Sequence, residues 1–151
     1  MKLFVKDTQL NISSAYLRPG FPFGGSCLGK DTSVLDYQAR NLGLDTPVIS
    51  SIHESNKAHT ARIVQEVKSF GCKKIGIIGI AFKKHTDDMR GSPMIPIINK
   101  LLEEGYDIKI YDDIVNESDV ANWPEIAGLF TNLDDVLSQE VIVRDQEIKC
   151  I

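Results

Sequence analysis

The spacing of apolar positions changes character near the middle of the chain. Leu35, Ala39 and Leu42 recur at helical intervals, which predicts a helix to about residue 42 with Gly43 as its C′ residue. Asp31, Thr32 and Ser33 offer a choice of N-caps for it. A longer helix follows over residues 47–69, with Pro47 at its first position and Gly71 as its stop. Its stripe of Ile49, Ile52, Asn56, Thr60, Ile63, Val67 and Phe70 is apolar at both ends and polar in the middle. Such a helix carries a core at its ends while its centre meets a partner or ligand.

After Gly71 the helical period gives way to short runs. KIGIIGIAF (74–82) is nearly continuous in apolar residues, as in a strand buried within a parallel sheet. A charged loop, 83–91, leads to a helix capped by Ser92, begun by Pro93 and stopped by Gly105. Residues 107–111 then alternate as a second strand. Strand, loop, helix and strand make one βαβ unit. Beyond it lie a weak helical patch after Asn116, a short strand at Leu129 and Phe130, a helix over 134–137 and a last apolar run at 141–143. The expected fold is α/β. A helical region (1–71) precedes a doubly wound, Rossmann-like parallel-sheet domain (72–151) that reads as incomplete, with no covering helix after the last strand. The stretch before Ser26 reads as loop, crowded with Pro19, Gly20, Pro22, Gly24 and Gly25.

Composition narrows the function classes. Among 151 residues, 17 Lys and Arg against 21 Asp and Glu leave a net charge of −4, which argues against a nucleic-acid binder. No apolar run reaches the roughly 18 residues of a membrane helix, and the charged start is too short for a signal peptide, so the expected location is cytoplasmic. Cys27, Cys72 and Cys150 are far apart, and no Cys/His ladder accompanies them. Neither a disulfide framework nor a metal site is expected. Cys72 reads as a packing residue and Cys150 as a tail thiol.

Cys27 carries the most suggestive chemistry. It follows Gly24, Gly25 and Ser26 and precedes a predicted helix, where the dipole and unpaired N–H groups favour a thiolate. Lys30 adds positive charge, and Asp31 could act as a base towards a covalent adduct. A small buried cysteine after a glycine turn is an equally good reading of the residues alone. A second cluster gathers Phe82, Lys83, Lys84, Asp87, Asp88 and Arg90 between a strand end and a helix start. Doubly wound sheets bind ligands there, and helix N-termini welcome phosphate. A solvated charged loop is the plain alternative. The dinucleotide fingerprint G-x-G-x-x-G is absent from the chain.

Two long motifs point further. YLRPGFPFGGSCLGKD (16–31) resembles the catalytic-cysteine motif of nucleotide-sugar 6-dehydrogenases, and GIIGIAFKKHTDDMRGSP (76–93) resembles that family's nucleotide-sugar-binding motif. The lead-in at 11–20 is more similar to the GDP-mannose branch than to the UDP-glucose branch. The resemblance implies oxidation of a sugar C6 alcohol to a carboxylate with two NAD molecules reduced in turn. It makes Cys27 the nucleophile of a thiohemiacetal and thioester, with Asp31 helping to activate water. It assigns Phe23, Gly24, Phe82 and Lys83 to the nucleotide-sugar. Lys30 and Arg90 fall towards NAD, and Tyr16 and Arg18 reach the substrate in the partner subunit. It also implies a homodimer paired through the helix 47–69.

Two positions depart from the family pattern. Gly29 replaces a usual proline, expected to loosen the turn after Cys27, and Gly91 replaces a usual glutamate, removing a charge beside Arg90. The family's N-terminal Rossmann domain has no counterpart in these residues, so the chain reads as the middle and rear of a dehydrogenase, inactive alone. A non-catalytic nucleotide-sugar-binding or dimerising module is the second reading. A thiol-redox protein using Cys27 is a weaker third.

Overall fold

The computed structural model describes residues 6, 7, 9, 20–144 and 147–150. Two long helices come first, α1 (Ser26–Asn41) and α2 (Pro47–Ser69), and they pack on one another. Then follow β1 (Lys74–Ile78), α3 (Met94–Glu103), β2 (Asp107–Tyr111), a 3-10 turn (Glu117–Val120), α4 (Pro124–Ala127), α5 (Leu133–Leu137), β3 (Val141–Arg144) and β4 (Glu147–Cys150).

The sheet has the order β2-β1-β3-β4. β1 runs parallel to both β2 and β3, and β4 closes one side antiparallel to β3. Strand order therefore reverses at β1, which places a crevice at the carboxyl ends of β1, β2 and β3. Outside β2, Phe130 makes a single parallel bridge to Ile110, so the expected strand at Leu129 and Phe130 is reduced to one pair. β4 was not expected from the sequence, and it gives the last parallel strand a neighbour where none was foreseen.

One face of β1 sends Ile75 and Ile77 into a core shared with Ile63, Val64 and Val67 of α2 and Ile97, Ile98 and Leu101 of α3. Each such fully buried side chain contributes about 1.5–3 kcal/mol relative to exposure. The polar-centred helix is thus bound to the sheet by its last two turns. Gly76 turns to the opposite face, where a Cβ would lie 2.5 Å from both Val136 O and Ile142 Cδ1. Only glycine lets α5 approach β1 so closely.

Several element boundaries shift, each for a local reason. α1 starts at Ser26, well before the candidate caps, because Gly25 at φ 87 turns the chain directly into the helix. Thr32 is instead buried, its hydroxyl donating back to Leu28 O at 2.7 Å. β1 ends at Ile78, since Gly79 at φ 85 bends the backbone out of the ladder, although Ile80 beyond it stays fully buried. Pro93 occupies the N-cap of α3 and Met94 its first position, so the helix begins one residue later than expected, and Ser92 donates to Ile80 O at 2.6 Å. α2 and β2 have the predicted limits. Among the described residues no helix is long and apolar enough to cross a membrane.

Candidate functional site

Cys27 is the second residue of α1 and exposed, so it lies within the first helical turn, whereas the sequence had placed it just before the helix. There the backbone N–H groups lack intrahelical partners and face outward. Lys30 and Asp31 follow on the same side at helical spacing, both exposed, with 3.8 Å between Lys30 Nζ and Asp31 Oδ1.

The approach to this turn is held from α2. Asn56 Oδ1 accepts the Phe23 N–H at 2.9 Å, and its Nδ2 donates to Phe23 O at 2.9 Å. One turn earlier, His53 Nε2 lies 3.0 Å from the hydroxyls of both Thr32 and Ser33. The His53 ring also meets Phe23 edge-on, with centroids 6.4 Å apart. The polar centre of α2 therefore grips the cysteine loop and α1 within this chain.

The two sequence motifs pack face to face. A Cβ on Gly24 would come 2.6 Å from Gly91 O and 2.7 Å from Pro93 Cδ, and one on Gly25 would sit 2.9 Å from the Phe82 ring. Gly91, at φ 65, is in the left-handed region that disfavours the family's glutamate. Arg90 is paired with Asp88. Arg90 Nε and Nη2 donate to its two carboxylate oxygens at 2.9 and 2.8 Å, and Arg90 N–H donates at 3.0 Å. These bonds hold the Asp88 carboxyl down to about 2, and the nearby Lys83 charge assists. The same fork raises the Arg90 guanidinium.

A cavity of about 530 Å³ opens at the carboxyl ends of β1, β2 and β3. Phe82 and Lys83 line it, with Phe21 and Pro22 from the cysteine loop, Lys84, His85 and Thr86 from the loop after β1, and Arg144 from the end of β3. The wall carries more positive than negative side chains, which suits a phosphate-bearing ligand. Asp112 also lines it, but its carboxylate is occupied by the N–H groups of Ile80, Ile114 and Val115, each at 2.9 Å. It ties the loop after β1 to the loop after β2.

Among the predicted site residues, Phe82 and Lys83 face this cavity. Gly24 forms the seam between the motifs, and Phe23 turns back onto α2. Cys27, Lys30 and Asp31 share the start of α1, and neither they nor Arg90 line the cavity. Tyr16 and Arg18 lie outside the described residues. Asn56 was marked by the polar centre of the α2 stripe, whereas His53, Asp112 and Arg144 were not singled out by sequence. Asp112 directly follows β2 and Arg144 ends β3, so a charged residue at a parallel strand's carboxyl end was the available signal. Among the described residues no group of three His, Cys, Asp or Glu side chains is arranged to hold a metal ion.

This geometry defines an α/β ligand-binding domain joined to a cysteine-bearing helical pair. Residues 1–58 match the central domain of the UDP-glucose/GDP-mannose dehydrogenase family, and residues 76–144 match its UDP binding domain. The chain belongs to that family. It is 34% identical over 98% of its length to GDP-mannose 6-dehydrogenase of Pseudomonas syringae pv. tomato, covering 35% of that protein. With UDP-glucose 6-dehydrogenase of Rickettsia bellii it shares 34% identity over 67% of its length and 24% of the relative's. Its fold superposes on the crystal structure of a ternary complex of GDP-mannose dehydrogenase from Pseudomonas aeruginosa with a TM-score of 0.81 and 32% identity, covering 97% of this chain and 37% of that one. A UDP-glucose dehydrogenase from Pyrobaculum islandicum gives a TM-score of 0.78 at 25% identity, covering 94% and 34%. The chain spans between 24% and 37% of the length of these relatives.

Proposed function

We propose that this chain forms the cysteine-bearing and nucleotide-sugar-binding part of a nucleotide-sugar 6-dehydrogenase, of GDP-mannose type in preference to UDP-glucose. The seam at Gly24 and Gly25 carries the reading. It fixes the Cys27 turn against Phe82 and Gly91, on the same loop that walls the cavity with Lys83. A nucleotide-sugar with its phosphates among Lys83, Lys84 and Arg144 would direct its sugar across that seam towards Cys27.

Cys27 would hold the aldehyde carbon covalently as a thiohemiacetal, so that further oxidation ends in a thioester instead of a released aldehyde. Asp31, one helical turn on, would orient the water that hydrolyses the thioester to the carboxylate. NAD, when bound, supplies the hydride acceptor. Lys30, on the helix turn of Cys27, and Arg90, next to the Gly91 that packs on Gly25, are exposed cations that would meet its anionic phosphates.

A homodimer is part of the proposal. Support comes from exposed apolar side chains on α1 and at the start of α2, where Leu35 is 52%, Tyr37 67% and Val48 77% accessible. Ile63, on the predicted pairing stripe, instead faces this chain's own core at 6%. Calorimetric titration tests the binding claim. Saturable binding of GDP-mannose, lost in Lys83→Ala, supports it, and a folded chain that binds neither GDP-mannose nor UDP-glucose overturns it.

A further inference from the structure

The connection from β1 to α3 enters the left-handed region three times, at Gly79 (φ 85), His85 (φ 59) and Gly91 (φ 65). Glycine makes two of these turns without steric cost. His85 is the single non-glycine residue at positive φ among the described residues. Its Cβ is crowded there, and such a conformation persists only where the surroundings over-determine it. They do so here. Phe82 N–H donates to Asp88 O at 3.2 Å, closing the loop of which His85 is the middle residue. Asp88 N–H donates to Thr86 Oγ1 at 3.1 Å, the Arg90 fork holds the Asp88 carboxylate, and Met89 is buried in the core. The braced loop sets His85 in the cavity wall beside Lys84 and Thr86. His85 is exposed, and among the described residues its ring has no hydrogen-bond, ion-pair or ring partner. Contacts within the chain therefore do not account for a side chain at this strained position.

We propose that His85 is a ligand-contacting residue of the cavity, its imidazole N–H donating to a phosphate oxygen of the bound nucleotide-sugar. The inference rests on the nucleotide-sugar reading of the cavity and adds to it a residue and a contact. Phosphate is the group this part of the wall suits. Lys83, Lys84 and Arg144 bring positive charge, whereas the Asp112 carboxylate is occupied by three backbone N–H groups. Imidazole offers a directed N–H donor, which glycine at the same turn would not. The loop thus gives up some local stability for a contact made only when ligand is bound.

Calorimetric titration of the whole chain with GDP-mannose and with GDP, beside thermal unfolding, tests this. His85→Gly removes the ring and the strain together. It should unfold at a temperature no lower than wild type, yet bind both ligands about tenfold more weakly. His85→Asn keeps an N–H donor and tolerates the left-handed region, so it should retain more affinity than His85→Gly. Equal affinity of wild type and His85→Gly for GDP-mannose overturns the inference and leaves the nucleotide-sugar reading standing. A loss seen with GDP-mannose but not with GDP moves the contact from phosphate to sugar and also overturns it. A folded wild-type chain that binds neither ligand overturns the nucleotide-sugar reading, and the inference falls with it.

Discussion

Asn56 clamps Phe23 by both backbone atoms, across 33 residues of sequence, with each bond at 2.9 Å. A side-chain amide matched to a peptide unit in this way fixes the entry to the Cys27 turn without any regular ladder. Asn56→Ala leaves a partly buried N–H and C=O unsatisfied, which costs about 1–3 kcal/mol. Urea unfolding should show that loss. Alkylation of Cys27 in the folded variant should also change rate, since the turn is no longer held. An unchanged midpoint would mean that water replaces Asn56.

Gly24 and Gly29 should respond in opposite directions to alanine. At Gly24 a methyl group meets Gly91 O and Pro93 Cδ, neither of which can yield cheaply, and overpacking costs about 1–3 kcal/mol. At Gly29, inside α1, its nearest neighbour would be His53 Cε1 at 3.9 Å. Alanine there stabilises by about 0.5–1 kcal/mol, because glycine is a poor helix former. The proline common in the family is thus not needed to keep the turn, since α1 forms through Gly29 regardless. Thermal unfolding of the two variants checks the contrast.

Asp88 sets an acid limb of stability. Its folded-state value of about 2 lies below the ordinary 3.8, chiefly through the side-chain bonds from Arg90. The Asp88 contribution is therefore complete above the unfolded value and is lost as pH falls through the folded one. Wild type and Asp88→Asn should differ in stability above pH 3.8 and converge towards about pH 2, as followed by circular dichroism. A constant difference across that range would detach the Asp88–Arg90 fork from folding.

Self-association should depend on α1. Leu35→Asp replaces a side chain that is 52% exposed, so the variant should stay folded and sediment as a monomer if the chain pairs through this face. Ile63→Asp instead buries a charge in the core and should unfold the chain. Equal sedimentation of wild type and Leu35→Asp at every concentration would remove α1 from the interface.

The elements most legible in sequence were those with side-chain punctuation. Pro47 and Gly71 bracket α2, and the alternation of Asp107 to Tyr111 marks β2. The start of α1 was not legible, because its signal is the φ of Gly25 with no capping side chain. β4 is too short for its alternation to register, and only its register with β3 reveals it. The stripe on α2 exposed Asn56 as an anomaly, but its partner lies too far along the chain to be inferred. The cavity wall was half visible: the loop after β1 announced Lys83, whereas Arg144 joins it only through the parallel pairing of β1 with β3.

The most direct test of the nucleotide-sugar site is amide chemical-shift mapping of the reduced chain during titration with GDP-mannose. Saturable shifts should gather at Gly79, Phe82, Lys83, Thr86 and Asp113 around the cavity, and extend to Gly25 at the seam. Saturable shifts elsewhere, or none at all in a folded chain, would contradict the account.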